Sequence, residues 1–594
     1  MRILILFCIT AGLLLGQENQ VNQSNQNSTT VKEVSKEKYV SPMRIKGLDP
    51  EFTRHMFIDP ELASKVNRSD QFWINDYLRF GLYLRPRFET RYNLNFNRDD
   101  KAYVDRAMQT SSLYFIIDPS PYVQAKITFQ DARVWGGDSP APVVDIRAQF
   151  FANTPNQING TTGGVTLNTT GIREAFFVLK NAGGSLKATI GRQILAFGDQ
   201  RLIGGANWTI NGLSFDGARL GYEIGRFRFN AFVTRPFWTQ SGVNGVISAN
   251  DTRANASAPK NGSDSTFYGT YNSFNFFDEV LMDIYSIGFQ KKWLPNSTNT
   301  TGTIVNPSLD DPGATTRSRQ SDILITTGFR LTNRTSDNNL SKGKAWDWTV
   351  ESAWQTGPTG ARTTEKFFGQ RIPDPSGERL FTERQKYTGQ MYVIQTGYTF
   401  FNKMRLGLQY TYASGDKNRT DASASTFQTL ANPRLGVIPY FNQIAGLSEN
   451  ISTKNLSSYS AIGSFTSDNW GTFHFAVFEN NKAVLQDAWY SVNGTARTST
   501  ENSDNSPFKT PNGLGRRIYR EYDITWMYGL NDNVSLWIGG GYLRAGNAIT
   551  QFRDSPIKFN SITSSFEWNT DFFAGRNKAA PDAYFGFFQF NVVF

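Results

Sequence analysis

The chain carries one cysteine, Cys8, and only two histidines, His55 and His474. Because Cys8 lies inside the apolar N-terminal stretch, the remainder has no thiol, which excludes disulfides and thiolate metal sites. Zinc needs several His, Cys or carboxylate ligands at suitable spacing, and no such cluster occurs. His474 falls on the polar face of a strand with Thr472. Beyond residue 16, no run approaches the roughly 20 continuous apolar residues of a membrane helix. There is no Gly-x-Ser-x-Gly nucleophile turn and no phosphate loop. No repeat of solenoid or propeller length is visible either. The mean hydropathy of −0.43 excludes a bundle of membrane helices. It leaves room for a membrane barrel, whose strands are apolar only at every second residue.

What is present is aromatic and basic. Aromatic residues make up 14% of the 594, and 61 Lys and Arg against 51 Asp and Glu leave a net charge of +10. Such an excess suits nucleic acid, anionic lipid or an anionic solute, and the placement of the charges must decide. At the N-terminus, Arg2, the apolar run Ile3 to Leu15 and the small Gly16 read as a signal peptide over residues 1–16. Residues 17–78 read as a periplasmic lead-in. Its first part is rich in Asn, Gln and Ser and is expected to be disordered, with one short helix expected after it.

From residue 79 the hydrophobic period becomes two. Phe80, Leu82, Leu84 and Phe88 alternate with Tyr83, Arg85, Arg87, Glu89 and Arg91. Successive side chains of a strand point to opposite faces, so the segment has one oily and one charged face. The same pattern recurs at 121–135, 226–235, 345–356 and 403–415. A soluble sandwich would bury each oily face. Three features of the whole set favour a membrane wall instead. The oily faces are aromatic, with Trp and Tyr often near strand ends. Connections alternate long and short. The chain ends in Tyr584, Gly586, Phe588, Phe590, Val592 and Phe594 at alternate positions, resembling the terminal strand that the insertion machinery of bacterial outer membranes recognises. The expected fold is all-β, a closed antiparallel up-and-down transmembrane barrel over residues 79–594. About 18 strands are expected, including the poorly patterned 266–275. An even count puts both termini in the periplasm.

Several short motifs follow in order: Leu84-Arg85-Pro86-Arg87-Phe88-Glu89, Gly191-Arg192-Gln193, Gly198-Asp199-Gln200-Arg201, Trp208 and Phe215-Asp216. After these come Phe267-Tyr268-Gly269-Thr270-Tyr271, Ser414-Gly415-Asp416 with Thr426-Phe427, and Glu521-Tyr522-Asp523. In this order and spacing the chain resembles the alginate export family of outer-membrane porins. The resemblance implies an 18-stranded monomeric barrel with an arginine-rich constriction that passes an anionic polysaccharide. It also brings Arg192, Arg201 and Asp216 into the site, although Arg192 sits on the oily parity of its strand and must lie past the membrane edge or follow a bulge. The loops are longer than in the alginate exporters, with Asn/Ser/Thr-rich insertions such as 416–455, and the N-terminal 60 or so residues fall outside the likeness; both leave the substrate open.

The polar strand faces supply the remaining candidates for a substrate-lining lumen: Arg85, Arg87, Arg91, Lys126, Arg219, Arg226, Arg228, Arg330, Lys403 and Arg405. Guanidinium forks bind carboxylates, and a low-dielectric wall strengthens the field in a pore. The alternative is a self-neutralised lumen, because Glu89, Glu174, Glu223, Asp347, Glu351, Glu521 and Asp523 share those faces. Asp416 and Asp421 are calcium candidates in a polar loop, without the spacing of a full calcium loop. No other cofactor is implied. Two other functions remain in view: a surface adhesin displaying its loops, and a barrel hydrolase using His474 with a serine. Expected partners are outer-membrane lipid, an anionic oligo- or polysaccharide and the insertion machinery, with no nucleic acid.

Overall fold

The computed structural model describes residues 39–46, 72–96, 103–135, 169–236, 266–291, 322–333, 345–371, 381–430, 445–490 and 515–549 with a few gaps, then 582–594 and short pieces at 496–497, 557–560 and 565–568. The signal-peptide stretch lies outside the described residues.

Eighteen antiparallel strands form one sheet, and the first pairs with the last, so the sheet closes. We number them β1 (Leu78–Tyr92), β2 (Tyr103–Ser120), β3 (Val123–Trp135), β4 (Thr169–Lys180), β5 (Leu186–Gln193), β6 (Phe215–Ile224), β7 (Phe227–Pro236), β8 (Thr266–Phe277) and β9 (Val280–Lys291). The second half has β10 (Asp322–Thr332), β11 (Trp346–Thr356), β12 (Gln390–Phe400), β13 (Met404–Ala413), β14 (Leu456–Ser467), β15 (Gly471–Lys482), β16 (Arg517–Gly529), β17 (Val534–Ala545) and β18 (Ala583–Val593). The weakly patterned segment near 266–275 is a strand, as the parity of connections required. The expected strand over 386–401 begins later, at Gln390, because Phe381–Tyr387 leaves the wall and pairs with Pro358–Thr364 in a small separate sheet.

Closure follows from period-two patterning on both faces. In β1, Arg79, Tyr83, Arg85, Arg87 and Glu89 are buried inside, while Phe88 on the outer face is 46% exposed. Outward Leu113, Phe129, Ile172, Leu408 and Ile524 are likewise exposed. Apolar residues on the outside and charges on the inside invert the soluble pattern, so the solvent of the outer face is lipid. Short turns and the two described termini lie at one end, which we call the short-turn end. The longer connections lie at the other, the long-loop end.

Aromatic side chains cluster at both ends. At the long-loop end Tyr103, Tyr92, Tyr584, Tyr542 and Tyr522 follow one another across five strands, with successive ring centroids 6.4, 5.9, 5.3 and 6.1 Å apart. At the short-turn end the Trp526 indole donates to the Trp470 carbonyl and stacks on Phe473 at 6.2 Å. Amphipathic rings of this kind mark the two headgroup levels.

The N-terminal segment returns to the short-turn mouth. A single-turn helix, Pro42–Lys46, carries Met43, 5% exposed, onto the lumen-facing Tyr83, Tyr114, Ile116, Val178 and Val593. Ser41 holds it there by donating its hydroxyl to Asp118 at 2.7 Å.

Candidate functional site: a lumen crossed by two inward loops

The barrel interior is crossed by two connections that fold inward. The first, residues 194–214, joins β5 to β6. Leu195, Ile203 and Leu213 are each at most 1% exposed and pack with lumen-facing aromatics of β6 to β9. Its tip descends deep into the barrel. Gly198 has a positive φ of 53°, and a Cβ there would collide with Tyr271 and Arg330, so the tip needs glycine to approach the wall. Arg201 then pairs with Asp199 at 2.8 Å and with Glu351 of β11 at 2.7 Å. Arg330 of β10 pairs with Asp283 of β9 at 3.0 Å and lies 3.5 Å from Asp199.

The rest of this loop lies against β1 to β4. Arg85 donates to the Asn207 carbonyl and, at 3.1 Å, to the Thr110 hydroxyl. Arg87 donates to the Trp208 carbonyl at 3.3 Å, and its guanidinium stacks 3.8 Å above the Trp208 ring. Arg173 donates to the Gly205 carbonyl at 2.7 Å and the Ser214 hydroxyl at 2.9 Å. Arg173 faces inward because of a bulge: the register slips opposite Thr128 and Phe129, so consecutive Arg173 and Glu174 both enter the lumen.

The second inward segment, residues 445–453, precedes β14. Glu521 of β16 accepts from the Ser448 amide at 2.7 Å and its hydroxyl at 2.8 Å, and Asp523 accepts from the Leu447 amide at 2.9 Å. Gly446, at φ 123°, lies where any side chain would run into Glu521. Leu447 joins Trp208, Trp537, Phe585 and Phe587 in one apolar cluster, so the two loops meet inside the barrel.

Most of the sequence-derived lumen residues lie inside as expected, many beside acids. Arg87 and Arg91 both pair with Glu89, Lys126 pairs with Glu174 at 2.6 Å, and Arg405 forks onto Asp347 with two 2.7 Å bonds. Arg219 and Arg228 have inward parity towards the short-turn mouth of β6 and β7, where Arg228 is exposed, and Arg226 sits in the turn between those strands. Three expectations are corrected, the first being Arg226, which lies in that turn and not on a lumen-facing strand. Arg192 and Asp216 point outward on β5 and β6, joined by bonds of 2.7 and 3.0 Å, because the strand parity continues unbroken to the rim. Lys403 belongs to the short turn 401–403 and pairs with exposed Asp468 of the next turn, so it lies below the lumen. Asp416 is buried and its amide donates to Asp487, while Asp421 lies outside the described residues. Among the described residues no group of three or more His, Cys, Asp or Glu could hold a metal. Patterning gave no sign of Arg173, whose inward face depends on the bulge.

The family model described as "Alginate export" matches residues 76–559, which span the barrel wall from β1 through β17 and both inward loops. The chain belongs to the alginate export family. It is an outer-membrane β-barrel channel. No curated protein matches it. In fold it is similar to Acinetobacter baumannii OccAB1, at 11% identity over 88% of this chain and 98% of that one, with a TM-score of 0.49. It is similar also to the outer membrane protein OprD from Pseudomonas aeruginosa, at 9% identity over 87% and 93% of the two chains, TM-score 0.42. Pseudomonas aeruginosa OccK2 (OpdF) in complex with glucuronate gives 10% identity, 88% and 99% coverage and a TM-score of 0.42.

The motifs that carry the alginate-export resemblance converge on the docking points of the inward loops. Gly198-Asp199-Gln200-Arg201 is the tip of the first, Trp208 is its apolar contact, and Glu521 with Asp523 hold the second. Ser414-Gly415-Asp416 and Thr426 fasten the rim: Thr426 donates to Asp487 at 2.6 Å, and Ser414 donates to the Ser425 carbonyl at 2.6 Å.

Proposed function

We propose that the channel passes anionic saccharide chains, of the uronate type, along the side of the lumen formed by β1 to β4. The observation that supports this most is the convergence of Arg85 and Arg173 on the first inward loop around a small pocket also lined by Thr110, Gln130, Glu174 and Asn207. Both guanidiniums are directed at oxygen acceptors of the loop backbone. A carboxylate is a stronger acceptor than an amide carbonyl for the same fork. A sugar acid can therefore exchange with Asn207 or Gly205 for these donors, while hydroxyls such as Thr110 donate to its ring oxygen and exchange hydrogen bonds with its alcohols. Binding of this kind is weak enough to release, which conduction needs.

In this reading the long-loop end faces the exterior and both termini lie in the periplasm. Exposed Arg228 then stands at the periplasmic mouth and meets an anion first. Each barrel conducts by itself, since the wall closes within one chain. Asp416 and Asp487 at the rim form the place to look for calcium, and the rim hydrogen bonds already occupy part of it.

The deciding measurement is the reversal potential of single barrels in a salt gradient, with oligo-uronates and neutral oligosaccharides as blockers. Arg85→Gln with Arg173→Gln should move the reversal potential toward cation preference and weaken uronate block by about tenfold, leaving neutral-sugar block unchanged. An intact double-variant barrel with an unmoved reversal potential would refute the anion reading.

A further inference from the structure

The outer wall carries a cationic cluster at the long-loop end that a pore does not require. Arg520 of β16 and Arg544 of β17 are direct cross-strand partners, and both side chains point out of the barrel. Like charges placed directly opposite each other destabilise a sheet pair. Arg517 lies close by on β16. Two carboxylates stand near. Glu479 of β15 pairs with Arg520 at 2.5 Å and with Arg517 at 3.9 Å, and Asp582 accepts the Tyr542 hydroxyl. Among the described residues, three guanidiniums against two carboxylates leave a positive excess.

Height on the wall tells what meets this cluster. Tyr522 and Tyr542, partners in the aromatic row, lie two residues from Arg520 and Arg544 on the side toward the membrane centre. Two residues of strand span about 7 Å, so the arginines stand just beyond the ring that marks the headgroup boundary. Below the tyrosines, Val477, Ile524 and Ile538 are outward and exposed, a surface for acyl chains. Guanidinium side chains just beyond an aromatic belt attract anionic headgroups, and their planar fork matches phosphate oxygens.

We infer that Arg520, Arg544 and Arg517 form a binding site for the phosphate-bearing headgroup of a membrane lipid in the leaflet at the long-loop end. The phosphate bridges Arg520 and Arg544 and removes their repulsion. Glu479 orients Arg520 and Arg517 toward it, and the acyl chains run down over Ile524 and Ile538. The site is on the lipid side of the wall, so it is independent of what passes through the lumen.

The test uses the full-length protein in detergent, its barrel checked by heat-shifted gel mobility. Native mass spectrometry follows retention of lipid A, a bisphosphorylated diglucosamine lipid, beside its dephosphorylated form and with inorganic phosphate as competitor. The wild type should retain the phosphorylated lipid, and Arg520→Gln with Arg544→Gln should retain it about tenfold less. Arg192→Gln removes an outward arginine already forked onto Asp216 and should leave retention unchanged. Equal retention by the intact double variant overturns the site. So does equal retention of the dephosphorylated lipid, full displacement by inorganic phosphate, or the same loss in Arg192→Gln.

Discussion

Trp208 of the first inward loop and Phe587 of the closing strand meet edge to face at 5.1 Å inside the barrel, with the Arg87 guanidinium 3.8 Å over the indole and 5.2 Å from the Phe587 ring. This contact fastens the middle of the loop to the wall, between the deep tip at Asp199 and the return to β6. The lumen is therefore shaped less by the bare strands than by where the loops are pinned to them.

Trp208→Ala should release that pin while sparing the wall. Truncating a buried tryptophan costs on the order of 3–5 kcal/mol of local packing, here charged to loop docking because Trp208 contributes nothing to the strand ladder. Single-channel records should show a higher and noisier conductance. Heat-modifiable gel migration should be normal. A quiet channel of unchanged conductance would show that the tip contacts suffice.

The Arg405–Asp347 pair gives a test of what the inward charges do. Both side chains are at most 2% exposed and share two hydrogen bonds. Removing one partner strands the other, at a cost of roughly 3–5 kcal/mol. Asp347→Leu should lower resistance to denaturant clearly, and the same change combined with Arg405→Met should restore most of it. Selectivity should move little in the double variant, because the pair is neutral as a unit. A large change in reversal potential would instead place Arg405 in the conduction path.

Closure rests on the last strand. Phe594 and Leu82 exchange both backbone hydrogen bonds, at 2.9 and 3.1 Å, and β18 pairs with β17 along its other edge. Deleting residues 583–594 leaves two unpaired edges in lipid, where each unsatisfied peptide group costs several kcal/mol. Assembly should be lost, read as absence of the heat-shifted band. Phe594→Ala keeps the backbone bonds, so any deficit it shows must come from recognition during insertion. Normal surface levels of this variant would remove the terminal aromatic from that role.

The wall was legible in the sequence because its physics is local. A strand with lipid on one side and a polar lumen on the other must alternate, so the inward parity of Arg85, Arg87, Lys126 and Arg405 could be read residue by residue. The outward parity of Arg192 was visible for the same reason, and the structure follows the parity rather than the motif. The loops were not legible. Residues 194–214 have no fixed period, and their partners Glu351 and Gln395 lie on strands far along the chain. The inward turn of Arg173 depends on a one-residue register slip that patterning cannot show. Part of the charged face is self-neutralised, because acids accompany Arg87, Arg330 and Arg405, whereas Arg85 and Arg173 reach for loop carbonyls.

The N-terminal helix makes the last prediction. Met43 lies over lumen-facing Tyr83, Tyr114 and Val593 and is held by the Ser41–Asp118 bond, with Arg44 paired to Asp76 at 2.5 Å behind it. A single helical turn has little stability of its own, so its position depends on these few contacts. Met43→Asp would place a carboxylate against aromatic rings and should dislodge the segment, and Ser41→Ala should weaken it further. The wall is untouched by either change, since its strands pair without residues 39–46. With the mouth cleared on the β1–β4 side, single-channel conductance should rise and a protease added from the short-turn side should cut the segment faster. If the double variant conducts as the wild type does and is cut no faster, the helix neither narrows the mouth nor depends on Met43 for its place.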